Sequence, residues 1–146
     1  MFARFIEIGW KKNQKSLNCF FFQFLVERDD TILQGHMLPP GKKLTSMSGE
    51  YKVLMGEDGN LLILGKNDET IWQSGSQLGE NQILKGFIIS IACMGGEPMV
   101  IDTDNDILWH IQEGEVEFDY MVIEDDGFFK GYKDGIFQYS LPETES

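Results

Sequence analysis

Cysteine and histidine are scarce in this sequence, which contains two of each. Cys19 and Cys93 allow at most one internal disulfide, so the chain is not a disulfide-stapled scaffold. Neither their spacing nor their neighbours suggest zinc, and His36 and His110 have no partner histidine at ligand spacing. We therefore expect no zinc site, and the redox compartment stays open.

A calcium loop is also not expected, although one stretch has part of the required acid spacing. Asp102, Asp104 and Asp106 alternate with other residues, and Glu113 follows at the distance typical of such a loop. Ile107, however, occupies the position that needs glycine for the sharp turn. Since no glycine-rich phosphate loop is present either, the sequence predicts neither a metal ion nor a cofactor.

Basic residues are half as common as acidic ones, with 12 Lys and Arg against 24 Asp and Glu and a formal net charge of −12. Phosphate binding needs clustered Lys and Arg, so this balance argues against nucleic acid and anionic membranes as partners. Acids are plentiful, but no pattern fixes two of them in a cleft, and no Ser or Cys has a paired His. We therefore predict a protein that is not an enzyme and has no catalytic residues.

An apolar run long enough to span a bilayer is also lacking. Residues 17–26 are nearly all apolar, but ten residues are too few. Residues 1–28 are predicted to form a β-hairpin, a targeting segment or an interaction arm, ahead of a domain at 29–142 and a polar tail at 143–146. The compartment stays unknown, with an extracellular or secretory-pathway location and a cytoplasmic location as the two alternatives.

What the sequence does contain is 16 glycines and several short β-type patterns. The clearest lies at residues 49–74, where two short apolar runs flank Asp58-Gly59. Gly accepts the positive φ that a tight hairpin turn requires, so the two runs are predicted to form a β-hairpin followed by a third strand. A unit of about 25 residues cannot bury its own apolar face, so further copies are expected.

The chain contains two such copies. A shift of 37 residues places Trp72 on Trp109 without a gap. A shorter third copy repeats the turn at Asp126-Gly127 and matches Phe137 to Trp72. Repeats of this length point to assembly by internal symmetry. We expect the rings of Trp72, Trp109 and Phe137 to meet at the symmetry axis as a shared core.

The first unit resembles the monocot mannose-binding (bulb-type, B-type) lectin domain. The resemblance begins at ILQGHMLPPGKKLTSMSGEY, residues 32–51, and continues through Asp58-Gly59-Asn60-Leu61 to Ile71-Trp72. It covers about residues 29–140 and is strongest in the first unit. It implies an all-β, β-prism II fold with three four-stranded antiparallel sheets around a pseudo-threefold axis and one sugar pocket per sheet.

The same resemblance implies which residues contact sugar, because that family binds mannose through the pattern Gln-x-Asp-x-Asn-x-Val-x-Tyr. In the first unit Asp58 and Asn60 match the pattern. Gly56, Leu62 and Leu64 stand at the Gln, Val and Tyr positions. Two of the four polar side chains are therefore kept there.

The other two units depart further from the pattern. The second keeps none of its residues and has at those positions Cys93, Gly95, Glu97, Met99 and Ile101. The third keeps Asp126 and Tyr132, with Glu124 as a stand-in acceptor for Gln, Phe128 at the Asn position and Lys130 at the Val position. If each missing hydrogen bond costs about 1 kcal/mol, the absence of two weakens binding roughly 30-fold.

These matches predict a non-enzymatic carbohydrate-recognition protein with degenerate sites and a weakly bound mannose-type glycan or glycoprotein as partner. The candidate carbohydrate-binding residues are Asp58, Asn60, Leu62, Asp126 and Tyr132. The strand of the first unit, around Asp58 and Asn60, is the favoured site.

Other interpretations stay open. Asp-Gly-Asn is good turn chemistry, so Asp58 and Asn60 are equally suited to satisfying backbone groups. Apolar replacements such as Leu64 favour a protein–protein interaction or assembly module that does not bind sugar. The acidic stretch at 113–126 is either a solvated surface or a docking patch for a basic partner. The resemblance also implies a homodimer by exchange of a C-terminal strand, for which 131–141 is the candidate segment.

Overall fold

The computed structural model describes residues 28–91, 95–111 and 117–143. The three alternatives for the N-terminal segment at 1–28 stay predictions, since residues 1–27 lie outside the described ranges, as do Cys19, Cys93 and Glu113. The described residues form no helix, and thus none that is long and apolar enough to cross a membrane.

Twelve short strands form in the described part of the chain. In chain order they are β1 (Thr31–Leu33), β2 (Met37–Leu38), β3 (Lys43–Thr45), β4 (Lys52–Met55), β5 (Leu61–Leu64), β6 (Thr70–Gln73), β7 (Leu84–Ile89), β8 (Pro98–Asp102), β9 (Ile107–His110), β10 (Tyr120–Ile123), β11 (Phe129–Lys133) and β12 (Ile136–Leu141).

The strands pair into three antiparallel sheets of four strands each. Sheet one has the order β3-β4-β5-β6, sheet two β2-β7-β8-β9 and sheet three β1-β10-β11-β12. Each sheet is a meander of three consecutive strands to which one of β1, β2 and β3 adds an edge strand. The all-β prediction with three four-stranded antiparallel sheets is therefore confirmed, and each predicted repeat corresponds to one meander.

The hairpin of β4 and β5 shows why these residues form sheets. Along β5 the buried Leu61 and Ile63 alternate with the half-buried Leu62 and Leu64. Alternation of this period places one side of the strand in the core and the other outside. At the turn, Gly59 has a φ of +100°, a conformation that L side chains rarely adopt.

The core is shared by all three sheets. Its buried members include Val53 and Ile63 from sheet one, Phe87 from sheet two, and Met121 and Phe129 from sheet three, all fully buried. The rings of Phe87 and Phe129 lie 5.9 Å apart and so connect two sheets directly. Because a fully buried large apolar side chain contributes about 1.5–3 kcal/mol, this shared core stabilises all three sheets together.

Two of the three rings expected at the centre do meet. The Trp72 and Trp109 rings lie 5.6 Å apart in an edge-on arrangement, and both pack against the core. The expectation for Phe137 is wrong, because its side chain is 46% exposed and its ring contacts Tyr132 at 6.1 Å. The register instead gives Tyr139 the third position: it packs against the core and pairs with Gly131, as Trp72 pairs with Ile63.

A β-bulge explains the misplaced aromatic residue. Between the pairs Gly131–Tyr139 and Tyr132–Phe137 the strand β12 contains one extra residue, Gln138. A bulge breaks the alternation of the strand, so Phe137 and Tyr139, two residues apart, lie on opposite faces of the sheet. The same irregularity occurs at the equivalent pairs of sheets one and two.

Candidate functional site

The unit-one strand places Asp58 and Asn60 at a tight turn. Asp58 Oδ1 accepts a hydrogen bond from the backbone N–H of Asn60 at 3.0 Å, which closes an Asx turn. Asn60 itself is only 6% exposed, and its Oδ1 has no hydrogen-bond partner among the described residues. The turn is fixed further by Leu78, whose N–H donates to the Asp58 carbonyl at 2.9 Å.

The remaining pattern positions of unit one offer no polar side chain. A Cβ added to Gly56 would lie 2.9 Å from both the Asn60 carbonyl oxygen and Asp58 Oδ1. Leu62 and Leu64 are half-buried on the outer face of β5, where they pair with Leu54 and Lys52. The outer face of sheet one is therefore largely apolar at the positions where the family pattern has Val and Tyr.

Unit two is apolar at the centre of its outer face. Met99 pairs with Ile88 on one side and with His110 on the other, and Met37 extends the row onto β2. The alternating acids of this unit belong to a turn, since Asp102 Oδ1 accepts the backbone N–H groups of Asp104 and Asp106, each at 2.9 Å. No group of three acidic, His or Cys side chains suited to a metal ion occurs within the described ranges.

Unit three brings four polar side chains together on the outer face of sheet three. Lys130 Nζ donates to Glu124 Oε1 at 3.0 Å and to Asp126 Oδ2 at 2.7 Å. The Tyr132 hydroxyl donates to Glu124 Oε2 at 2.5 Å. Asp126 Oδ1 also accepts the Phe128 N–H at 3.1 Å, which repeats the Asx turn of unit one. Of the predicted residues, Asp126 and Tyr132 thus share one cluster, linked through Glu124 and Lys130.

Aromatic rings flank this cluster. Tyr120 and Tyr132 are cross-strand partners whose rings stack 5.3 Å apart at an interplanar angle of 17°. Phe137 meets the other side of Tyr132 edge-on. Sequence reasoning missed Tyr120 and Phe137 at this site, because their proximity depends on cross-strand register and not on spacing along one strand.

Burial and hydrogen bonds within the cluster determine the protonation states of its side chains. Burial, followed by the hydrogen bond to Glu124, raises the pKa of Tyr132 to about 12. Burial acts to raise the pKa of Asp126, but the hydrogen bonds from Lys130 and Phe128 outweigh it and the pKa is lowered. The hydrogen bond to Asp126 raises the pKa of Lys130 against the opposing effect of burial. At neutral pH the site therefore holds a charged ammonium, an ionised Asp126 and a protonated phenol.

A surface cleft of about 440 Å³ adjoins the cluster. Glu124 and Asp126 line it together with Val122 of β10 and with Arg28 and Asp30, which precede β1. Arg28 donates two hydrogen bonds, of 2.9 and 2.7 Å, to the buried Asp30 carboxylate. Met47, Ile123 and Asp125 complete the lining.

The structure is similar to several lectins of solved structure. The mannose-specific agglutinin of snowdrop, Galanthus nivalis, in complex with methyl-α-D-mannoside matches with a TM-score of 0.59 and 17% identity over 80% of this chain and 99% of the agglutinin. A lectin from Remusatia vivipara matches with a TM-score of 0.57 and 24% identity, covering 83% and 98% of the two chains. A lectin from Marasmius oreades matches with a TM-score of 0.62 and 18% identity, covering 78% of this chain and 91% of that lectin.

No model of a known protein family matches the sequence, and no curated protein matches it significantly. The structural similarity nonetheless establishes the fold, which is the β-prism II fold of monocot mannose-binding lectins. The resemblance inferred from the sequence is confirmed at this level, and the low identities correspond to a divergent chain.

Proposed function

We propose that the protein is a non-enzymatic carbohydrate-recognition protein with degenerate sites, which binds a mannose-type glycan weakly. The proposed contacts are Asp58, Asn60 and Leu62 in unit one, and Asp126 and Tyr132 in unit three. The fold shared with an agglutinin crystallised with methyl-α-D-mannoside supports a sugar as the ligand.

The geometry favours unit three over unit one, and one observation carries this preference. Three hydrogen bonds join Glu124, Asp126, Lys130 and Tyr132 into one cluster, and two of its members, Glu124 and Asp126, line the cleft. Each ionised carboxylate offers about four lone-pair sites, so acceptors remain for sugar hydroxyls after the internal bonds are formed. The stacked Tyr120 and Tyr132 rings add an apolar surface for the sugar C–H groups.

Unit one is the weaker of the two sites. The Asp58 carboxylate already accepts a hydrogen bond within its own turn, although the residue itself is exposed to solvent. Asn60 Oδ1 is buried, so a sugar hydroxyl reaches it only if the turn opens. We therefore assign unit one a lower affinity than unit three.

A titration by NMR tests the proposal. Methyl-α-D-mannoside is added to labelled protein up to about 20 mM, where a site with a millimolar Kd, about −4 kcal/mol, is mostly occupied. We expect the largest amide shifts at residues 124–132 and smaller ones at 58–64. The proposal is rejected if neither segment shifts with this mannoside or with a branched trimannoside, while the amides remain dispersed as in a folded protein.

The second candidate function is a protein–protein interaction or assembly module. It is favoured by the apolar outer face of sheet two, where Met37 is 42% exposed beside Ile88 and Met99. A homodimer through residues 131–141 belongs to the same candidate function. Light scattering over a wide concentration range, with Met37→Ser as a comparison, tests it: a dimer that this variant weakens supports the apolar face, and a monomer throughout rejects self-association.

A further inference from the structure

Two outward positions of unit three have exchanged their chemistry relative to the family pattern. The pattern places a polar Asn first and an apolar Val two residues later, whereas this chain has Phe128 and then Lys130. Residues two apart on a strand lie on the same face, and the intervening Phe129 is fully buried. Phe128 and Lys130 therefore stand side by side on the outer face of sheet three, both half-buried.

We infer that Lys130 is the specificity-determining donor of unit three, supplying the hydrogen bond that Asn makes in the family pattern, while Phe128 supplies the apolar surface that Val provides there. This inference rests on the proposed function. Under this inference the two departures from the pattern compensate each other. Unit three is then an altered sugar site and not a degenerate one.

The geometry of the ammonium supports this role. A lysine Nζ carries three donors. Two of them are used, on Glu124 Oε1 and Asp126 Oδ2, and no third partner occurs among the described residues. The side chain keeps 22% of its surface exposed, and both of its acceptors line the cleft. The two carboxylates thus hold the ammonium in place with one N–H left for a ligand oxygen.

The surrounding charge defines the class of ligand. Four carboxylates, those of Asp30, Glu124, Asp125 and Asp126, line the cleft together with Arg28, and Lys130 is bound to two of them. An acidic sugar is repelled by this excess of negative charge. A neutral hexoside with adjacent hydroxyls fits, since one hydroxyl donates to a carboxylate while its neighbour accepts from Lys130.

Substitution of Lys130 gives the first test, with methyl-α-D-mannoside as the probe. Lys130→Met keeps most of the aliphatic length but removes the donor, and we expect the Kd to rise at least about tenfold, as for a charge-assisted hydrogen bond. Lys130→Gln retains a donor and is expected to weaken binding less. Lys52→Met is the matched control: Lys52 is a strand lysine with 20% exposure and a carboxylate partner, Asp68, in sheet one. It should leave binding at unit three unchanged.

A double-variant cycle tests the compensation. Phe128→Asn and Lys130→Val are each expected to weaken binding alone, because the first removes the apolar surface of Phe128 and the second removes the donor of Lys130. Together they restore the family pattern at both positions, so the double variant is expected to bind within about threefold of the unmodified protein. Losses of affinity that simply add in the double variant would contradict the exchange.

Monodeoxy mannosides separate a direct contact from a positioning role. The analogue that lacks the hydroxyl bonded to Lys130 should bind the unmodified protein more weakly than the parent mannoside does, whereas Lys130→Met should not distinguish the two. The inference is overturned if Lys130→Met binds the mannoside as well as, or better than, the unmodified protein. If neither the unmodified protein nor the double variant binds any mannoside, the proposed function fails, which is a different result.

Discussion

The hairpins of units one and three have the same turn but different outer faces. In both, an Asp carboxylate accepts a backbone N–H two residues later, at 3.0 Å for Asp58 and 3.1 Å for Asp126. Both turns contain a glycine with positive φ, Gly59 and Gly127. The Asp of the sugar-binding pattern is thus explained by the turn alone. Its presence does not indicate a sugar site unless the outward side chains of β11, or their equivalents in β5, are polar too.

The largest effect that we expect is on stability, and it concerns how units one and three pack in the core. Gly131 occupies the strand position held by Ile63 in unit one, and a Cβ added to it would lie 2.6 Å from the Phe118 ring, which fills the space. We expect Phe118→Ala to lower the free energy of unfolding by about 3–5 kcal/mol, because it leaves a cavity. Urea denaturation measures this loss of stability.

A paired variant checks that Phe118 and Gly131 fill one space. Gly131→Ala alone is expected to destabilise by about 1–3 kcal/mol through overcrowding. Added to Phe118→Ala, the same change should recover about 0.8 kcal/mol, since one methyl group then fills part of the cavity. A further decrease in stability in the double variant would show that the two positions do not compete for space.

The next effect concerns binding at unit one. Gly56→Gln with Leu64→Tyr supplies the two missing polar side chains, so mannoside affinity at unit one is expected to rise about 30-fold. The turn is expected to accept the new side chain, since unit three carries Glu124 at this position with the same hydrogen bond, Glu124 N–H to the Phe128 carbonyl at 3.0 Å. NMR titration of residues 58–64 follows the change. A double variant that folds but binds no better would refute the alignment of unit one with the family pattern.

A smaller effect is expected at alkaline pH. The pKa of Tyr132 is raised to about 12, so the neutral phenol stabilises the fold fully below the unfolded pKa of about 10, and this contribution is lost as pH rises toward 12. We expect Tyr132→Phe to lose less stability than the unmodified protein over this range. Thermal melts at several pH values compare the two proteins. Identical slopes would mean that burial and the hydrogen bond to Glu124 do not raise the pKa of Tyr132 in the folded protein.

The smallest expected effect is a difference in stability between Lys130→Met in unit three and Lys52→Met in unit one. Lys130→Met should cost about 0.5–1 kcal/mol near pH 7, as for a partly exposed ion pair. The lowered pKa of Asp126 gives stability that is present above the unfolded value of about 3.9 and is lost on acidification, so the cost should shrink at low pH. Lys52→Met, whose partner Asp68 is exposed, should cause no measurable change. Chemical denaturation at two pH values compares the variants, and equal effects of the two substitutions would remove the distinction between the units.

The fold was largely predictable from the sequence, because period-two alternation and Asp-Gly turns are local signals. Copies of the 49–74 unit predicted assembly by internal symmetry, and the resemblance to the lectin domain implied the three four-stranded sheets. The position of Phe137 was not predictable, since an Ile-aromatic-Gln triplet at 136–138 imitates the one at 71–73. Only the bulge at Gln138 shows that Tyr139 is the inner residue.

The candidate site was predictable only in part. Asp126 and Tyr132 follow from the pattern, and the structure places both in one cluster. Lys130 stands at a position where the pattern has an apolar residue, so matching alone counts it as a mismatch. Its two bonds to carboxylates depend on how side chains fold back across the β10–β11 turn, which residue spacing does not encode.

The bulges in β6, β9 and β12 have a consequence for how such a protein can change. Each one adds a residue beside the aromatic residue that packs against the core, and the added residues of β6 and β12, Ile71 and Gln138, are exposed. Substitutions at the exposed positions of a sheet can thus accumulate without loss of the aromatic packing at the centre. Three neighbouring surfaces on a single small scaffold are in this way free to acquire different tasks.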